Sequence, residues 1–287
     1  MRLDFIVPGF SKCGTTSLCW YLAQHPEIYI PEVKEPNFFA FGYEFGWEWY
    51  EALFENTGTA RVIGEGSTFY SAAEFEDLAC ERILRHFPDI RLIFIARNPI
   101  ARIESSYREL HHSGFRYGVS APFTIFETLW EHRNIIDDTL YWRRINAYRR
   151  HVPDNRIHVL FLEDLFRDPA TELVKCFRFL GVDPKVRIEH TDRKLNTATT
   201  RLYDSRLMEL IRSHRWANWL WNRFSVSSQN KIGRLLGFRK AFNGPIQWDP
   251  VSLDRVRQEV FPDARRFLNY YRKPAGFWDL RPKAIAA

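Results

Sequence analysis

The chain has no apolar run approaching the ~18 residues that a membrane-crossing helix requires. Its first strand-like stretch begins near residue 3. That leaves no room for a signal peptide or stem, so a cytoplasmic location is expected. Cysteine is also scarce, with four in 287 residues. Cys13, Cys19, Cys80 and Cys176 show no metal-ligand spacing, and a disulfide framework is not expected for a chain of this size. All four read as reduced thiols in or near the core. Cys13 stands apart, because it borders a predicted anion site that would lower its pKa. Internal repeats and low-complexity tracts are absent. Hydrophobic content of 45% and charged content of 26% are ordinary for a globular protein. The length suits one large α/β domain spanning residues 1–287.

Acidic residues are sparse in one region. Residues 201–240 hold nine Arg or Lys and two acids, a net of +7 against +6 for the whole chain. Two readings stand, a solvated helix face or a surface for an anionic ligand. Residues 190–250 also contain Trp216, Trp219, Trp221 and a Ser-rich break from Ser225 to Ser228. This stretch reads as a mostly helical insertion or lid.

The first two thirds alternate strand and helix patterns. Leu3–Val7, Arg61–Gly64, Ile90–Ala96 and Arg156–Phe161 read as strands. Ile90–Ala96 is nearly continuous in apolar residues, as a buried parallel strand requires. Helices are expected from Ser17 to Gln24, from Phe75 to Phe87, from Pro99 onward, and from Asp168-Pro169 to near Gly181. The pattern predicts an α/β fold: a P-loop-like, doubly wound parallel sheet flanked by helices. Residues 38–54 hold nine aromatics in seventeen positions. These suit either a helix packed on the sheet or a wall facing a sugar or an apolar molecule.

The most informative stretch is Gly9-Phe10-Ser11-Lys12-Cys13-Gly14-Thr15-Thr16-Ser17. A glycine-bounded loop between strand and helix offers unpaired backbone N–H groups and a helix N-terminus to a phosphate. The spacing is that of a Walker A loop, with one departure. That motif places Lys directly after the second Gly, where this chain has Thr15. Its Lys sits inside the loop, at position 12, where it would lie beside a bridging oxygen instead of reaching along a triphosphate. Two further motifs follow in order. Gly64-Glu65-Gly66-Ser67-Thr68-Phe69-Tyr70 is one. Arg97-Asn98-Pro99, with Ser105 eight residues after the Arg, is the other.

Together these motifs resemble the sulfotransferases that use 3'-phosphoadenosine-5'-phosphosulfate (PAPS), over roughly residues 3 to 181. The resemblance implies that Lys12 lies on the oxygen between phosphate and sulfonate. It implies that Ser11, Cys13, Gly14, Thr15, Thr16 and Ser17 bind the 5'-phosphate, and Arg97 and Ser105 the 3'-phosphate. In the carbohydrate branch a Glu begins a motif like that at Glu65, which makes Glu65 the candidate base. That motif often has Lys or Ala second and Pro fourth, where this chain has Gly66 and Thr68. Asn98 stands where most members have Asp. The branch acting on phenols and steroids uses a His base, so His111 and His112 keep a claim. Lys34-Glu35-Pro36-Asn37-Phe38-Phe39 resembles a Lys-Glu-Pro-His-Phe-Phe segment of bacterial members. It implies Lys34 near the transferred sulfonate and Glu35 near the acceptor, with a simple ion pair as the alternative. Arg201 and Gly237-Phe238-Arg239-Lys240 are loose matches to a late basic loop that closes over the nucleotide.

The expected activity is sulfuryl transfer to a hydroxyl, with a carbohydrate or glycolipid acceptor favoured and a hydroxylated lipid or secondary metabolite as the alternative. No metal and no nucleic acid partner are implied. Two rivals come from other classes. A P-loop kinase acting on a small molecule would need Mg²⁺. A non-enzymatic polyanion-binding protein would rest on residues 201–240 alone.

Overall fold

A computed structural model describes residues 1–33, 35–113, 124–191, 202–204, 223, 226–237, 239–241 and 246–280. The chain divides into two compact units. One comprises Met1–Ile103, His132–Leu195 and Leu253–Arg281, and the other Glu104–Glu131, Asn196–Ser252 and Pro282–Ala287.

The first unit is built on five parallel strands: β1 (Phe5–Gly9), β2 (Ile28–Tyr29), β3 (Val62–Gly66), β4 (Arg91–Ala96) and β5 (Ile157–Phe161). Their order in the sheet is β2-β3-β1-β4-β5. Every residue of β1 and β3 is buried, as is all of β4 after Arg91. Burial on both faces explains why β1 and β4 read as continuous apolar runs. From β1 the chain runs out to β2 and back to β3 on one side, then crosses to β4 and β5 on the other. The carboxyl ends of β1, β3 and β4 therefore meet at the point where winding reverses, the place where open α/β sheets hold ligands.

The helices named from sequence form close to their expected bounds, at Thr15–Leu22, Glu76–His86, Pro99–Ser113 and Pro169–Leu180. The last shows the clearest local causes. The Asp168 carboxylate accepts from the Thr171 N–H at 3.1 Å, Pro169 opens the first turn, and Gly181 closes it at φ 77°. Helices at Tyr141–Arg149 and Pro250–Tyr270 were not anticipated. The aromatic segment folds as a short 3₁₀ turn, Gly42–Phe45, followed by the helix Trp47–Ala52. Phe38, Phe39, Tyr50 and Phe54 enter the core, and Tyr50 stacks on Phe38 at 4.4 Å. Most of this segment is thus packing. Phe41 stays exposed and meets Phe69 edge-on at 5.2 Å.

In the second unit, the described parts of residues 190–250 include a helix, Val226–Leu235, and an antiparallel ribbon. The ribbon pairs β6 (Leu202–Asp204) with β7 (Arg239–Ala241) in the register Tyr203↔Lys240. Of the basic run, side chains are described for Arg223 and Lys231, both exposed. Arg201 and Phe238 lie outside the described residues. Among the described residues no helix is long and apolar enough to cross a membrane.

Candidate functional site

The loop after β1 is shaped by two left-handed residues, Lys12 at φ 65° and Gly14 at φ 96°. A β-carbon on Gly14 would sit 2.5 Å from Leu162 Cδ1, so glycine is required for both conformation and space. Gly14 is also the N-cap of the helix Thr15–Leu22, and no side chain caps that helix. Its first turn carries no acid. Uncapped N–H groups and absent negative charge are what an anion cradle needs. Thr15 and Ser17 are buried there and Thr16 half-buried.

Two arginines fasten the loop from below. Arg102, 2% exposed, donates from Nε to the Ser11 carbonyl at 3.2 Å. Its Nη1 reaches the Ile135 carbonyl and Thr139 Oγ1, both at 2.8 Å, and Nη2 lies 3.6 Å from the Asp138 carboxylate. Arg97, just past β4, donates to the Lys12 carbonyl at 3.4 Å. Tyr141 donates its one proton to the Arg97 carbonyl at 2.9 Å, so the Cys13 thiol, 3.3 Å away, donates to Tyr141. Below the loop the Phe10 ring lies 4.6 Å from that of Tyr141.

Cys13 departs from expectation. Complete burial pushes its thiol up to about 11, outweighing the nearby Arg102 and Arg97 charges. It packs inside the loop as a neutral thiol, not a reactive one. All four cysteines are buried and unbridged.

Glu65 stands on β3 opposite Ile6 of β1 and is fully buried. Its Oε2 accepts from Ser67 Oγ at 2.6 Å, and its Oε1 from the Tyr70 hydroxyl at 2.7 Å and the Tyr50 hydroxyl at 3.2 Å. Burial raises the carboxyl from 4.5 to about 7; the three hydroxyls oppose that rise and Glu35 adds to it. Gly66 now has a reason, since a β-carbon there would meet Cys19 Sγ at 2.5 Å. Thr68 does too, because its hydroxyl contacts Glu35 Oε2 at 3.4 Å.

Asn98 caps the helix Pro99–Ser113, its Oδ1 accepting from the Ala101 N–H at 3.2 Å. Asp would cap equally well. The Asn98 Nδ2, however, donates to the Asp279 carbonyl at 2.6 Å, and the Asn98 N–H donates to Glu163 Oε1 at 2.7 Å. Asn98→Asp would lose the bond to the Asp279 carbonyl and set a charge against that oxygen. It is expected to cost about 0.5–1.5 kcal/mol in a urea titration.

The first unit therefore brings the Ser11–Ser17 loop, Arg97 and Glu65 to one sheet edge. Glu35 is half-buried beside Thr68, and Lys34 lies outside the described residues. Ser105 is half-buried two turns into the helix Pro99–Ser113, in the second unit, as are His111 and His112 in its last turn. Sequence reading missed Arg102, Tyr50 and Tyr141. Arg102 carried a faint signal, flanking the apolar stripe Ile100, Ile103, Tyr107 of its helix.

A family model described as the sulfotransferase domain matches residues 2–218. The chain belongs to the sulfotransferase family. Human heparan sulfate glucosamine 3-O-sulfotransferase 6 is 29% identical over 197 residues, covering 64% of this chain and 54% of that protein. The sulfotransferase thus spans about half the length of the curated relatives it matches. Among solved structures, a sulfotransferase from Alicyclobacillus acidocaldarius aligns over 97% of this chain and 99% of its own, with a TM-score of 0.67 and 21% identity. Mouse sulfotransferase SULT7A1, complexed with PAP, aligns over 95% of this chain and 88% of its own, with a TM-score of 0.51 and 17% identity. These likenesses establish the shared fold.

Proposed function

We propose that this sulfotransferase moves the sulfuryl group of PAPS to a hydroxyl of a carbohydrate or glycolipid. The observation that carries the reading is the meeting of three elements at the carboxyl edge of β1, β3 and β4. They are an uncapped, acid-free loop holding Lys12, a buried carboxyl at Glu65, and the guanidinium of Arg97.

PAPS supplies an activated sulfonate on a good leaving group, so positioning and electrostatics carry most of the catalysis. Backbone N–H groups and hydroxyls from Ser11, Gly14, Thr15, Thr16 and Ser17 hold the 5'-phosphate; the Cys13 N–H donates instead to the Phe10 carbonyl at 3.2 Å, so Cys13 shapes the loop and does not bind the phosphate. Arg97 holds the 3'-phosphate, the group to which the resemblance also assigns Ser105. Glu65 takes the acceptor hydroxyl's proton as that oxygen bonds to sulfur. The bond from sulfur to the bridging oxygen breaks, and Lys12 stabilises the negative charge left there. The resemblance assigns Lys34 to the sulfonate and Glu35 to the acceptor. A carboxyl titrating near neutrality suits the role of base, because it is ionised enough to accept a proton and basic enough to hold it. The heparan sulfate 3-O-sulfotransferase relatives support a carbohydrate acceptor. The exposed Phe41–Phe69 pair near Thr68 favours a second reading, a hydroxylated lipid or secondary metabolite.

The test is calorimetric titration with adenosine 3',5'-bisphosphate in EDTA. Wild type is expected to bind without metal. Arg97→Ala is expected to bind about 10- to 100-fold more weakly, the value of one charge-assisted contact to phosphate. No binding, or binding of ATP only with Mg²⁺, would overturn the proposal in favour of a kinase.

A further inference from the structure

The hydroxyls on Glu65 are themselves held by one short turn. Ser67 Oγ accepts the Asn37 N–H at 2.9 Å, and the Tyr70 hydroxyl accepts the Phe39 N–H at 3.3 Å. A backbone N–H can only donate. Each hydroxyl therefore receives on one side and must place its single proton on the other, where Glu65 lies. The turn is well fixed. Asn37 is buried at φ 50°, its carbonyl accepts from the N–H groups of Ala40 and Gly42 at 3.1 and 3.0 Å, and its Nδ2 donates to the Glu35 carbonyl at 3.1 Å.

A carboxylate has about four acceptor positions. Tyr70 and Tyr50 fill the two on Oε1, and Ser67 fills one on Oε2. We propose that the Asn37–Phe39 turn is a positioning device that fixes the Ser67 and Tyr70 protons on Glu65. This rests on the reading of Glu65 as base. It gives the Glu35–Phe39 and Glu65–Tyr70 motifs a joint purpose, since backbone donors from one set the hydroxyl rotors of the other. Ser67 and Tyr70 act through Glu65, so both are positioning residues.

The groups facing Glu65 come from four elements. Tyr50 comes from the helix Trp47–Ala52, and Ser67 and Tyr70 from the turn after β3. Glu35 lies before the Asn37 turn. Tyr148, from the helix Tyr141–Arg149, donates to the Tyr70 carbonyl at 2.5 Å. Burial opposes ionisation of Glu65 and Glu35 adds to that, so the fixed hydroxyls are what keep the anion accessible near neutral pH.

The experiment follows the ¹³C signals of glutamate side-chain carboxyls against pH in the full chain. The Glu65 signal is assigned by its loss in Glu65→Gln. Wild type is expected to titrate near pH 7. Ser67→Ala and Tyr70→Phe are each expected to move that midpoint up by about one pH unit, the worth of one hydrogen bond to a charged group. Ser67→Thr, which keeps the hydroxyl, is expected to leave it in place. Tyr70→Phe keeps the buried ring and carries the test if Ser67→Ala fails to fold. A midpoint unmoved in these variants would overturn the proposal. Full turnover in Glu65→Gln would instead remove Glu65 from the base role, whatever the titration shows.

Discussion

Glu65→Gln is expected to lose about 10²–10⁴-fold in turnover, the usual worth of a positioned base. Affinity for adenosine 3',5'-bisphosphate is expected to stay within about twofold, because the phosphates are assigned to the loop and Arg97. The same variant reports on stability. In the folded protein Glu65 is protonated up to about pH 7, against 4.5 for the ordinary carboxyl. The folded state therefore binds more protons than the unfolded chain between those values. The stability this provides is complete below about pH 4.5 and is lost as pH rises through about 7, by about 3 kcal/mol in all. Gln cannot ionise and escapes that loss. The melting temperature of Glu65→Gln, measured relative to wild type, is thus expected to climb between pH 5 and pH 8 while turnover is nearly abolished. Near-normal turnover would take the base role away from Glu65. A difference in melting temperature that stays flat with pH would mean that the carboxyl is already ionised below pH 5.

The loop and the strand ends were legible because their signals are local. Gly9, Lys12 and Gly14 have fixed spacing, and Pro99 and Asp168-Pro169 announce helix starts that need no tertiary partner. β2 was harder to see because two residues, Ile28 and Tyr29, carry too little periodicity to stand out. The helix Pro250–Tyr270 escaped notice because it contains Pro262, which normally argues against a helix interior. Cys13 was misjudged for a different reason. Sequence shows its neighbours in the chain but not the depth at which Tyr141 and Phe10 bury it, and depth decided its protonation. The Glu65 cluster was half legible. Glu65, Ser67 and Tyr70 fall within six residues, yet their orienting donors at Asn37 and Phe39 lie about thirty residues away. Pairing of β2 beside β3 and closure of the Asn37 turn bring those groups together. Gly66 and Thr68, departures from the family motif when read as letters, follow from their contacts with Cys19 and Glu35.

Arg102→Ala should be the most damaging single change away from the substrates. The guanidinium is buried and serves four acceptors on two segments: the Ser11 carbonyl of the loop, and the Ile135 carbonyl, Thr139 Oγ1 and Asp138 carboxylate of residues 135–139. Removing it leaves the half-buried Asp138 carboxylate, already pushed upward by burial, with only the Ala73 N–H and the more weakly acting Arg144 charge, and leaves the Ser11 and Ile135 carbonyls each a donor short. Breaking a buried pair from one side costs about 3–5 kcal/mol, a large share of the ~5–15 kcal/mol that holds a domain folded. The urea midpoint is expected to fall accordingly with the slope unchanged. Binding of adenosine 3',5'-bisphosphate should weaken in parallel, because Ser11 begins the segment that carries Lys12 and Gly14. Arg102→Lys separates the two effects. An ammonium restores the charge facing Asp138 but lacks the fork that reaches Ser11 and Ile135 together. It is expected to recover about half of the lost stability and little of the lost affinity. Equal recovery of both would mean that the charge alone matters, and that the loop keeps its shape without the fork beneath it.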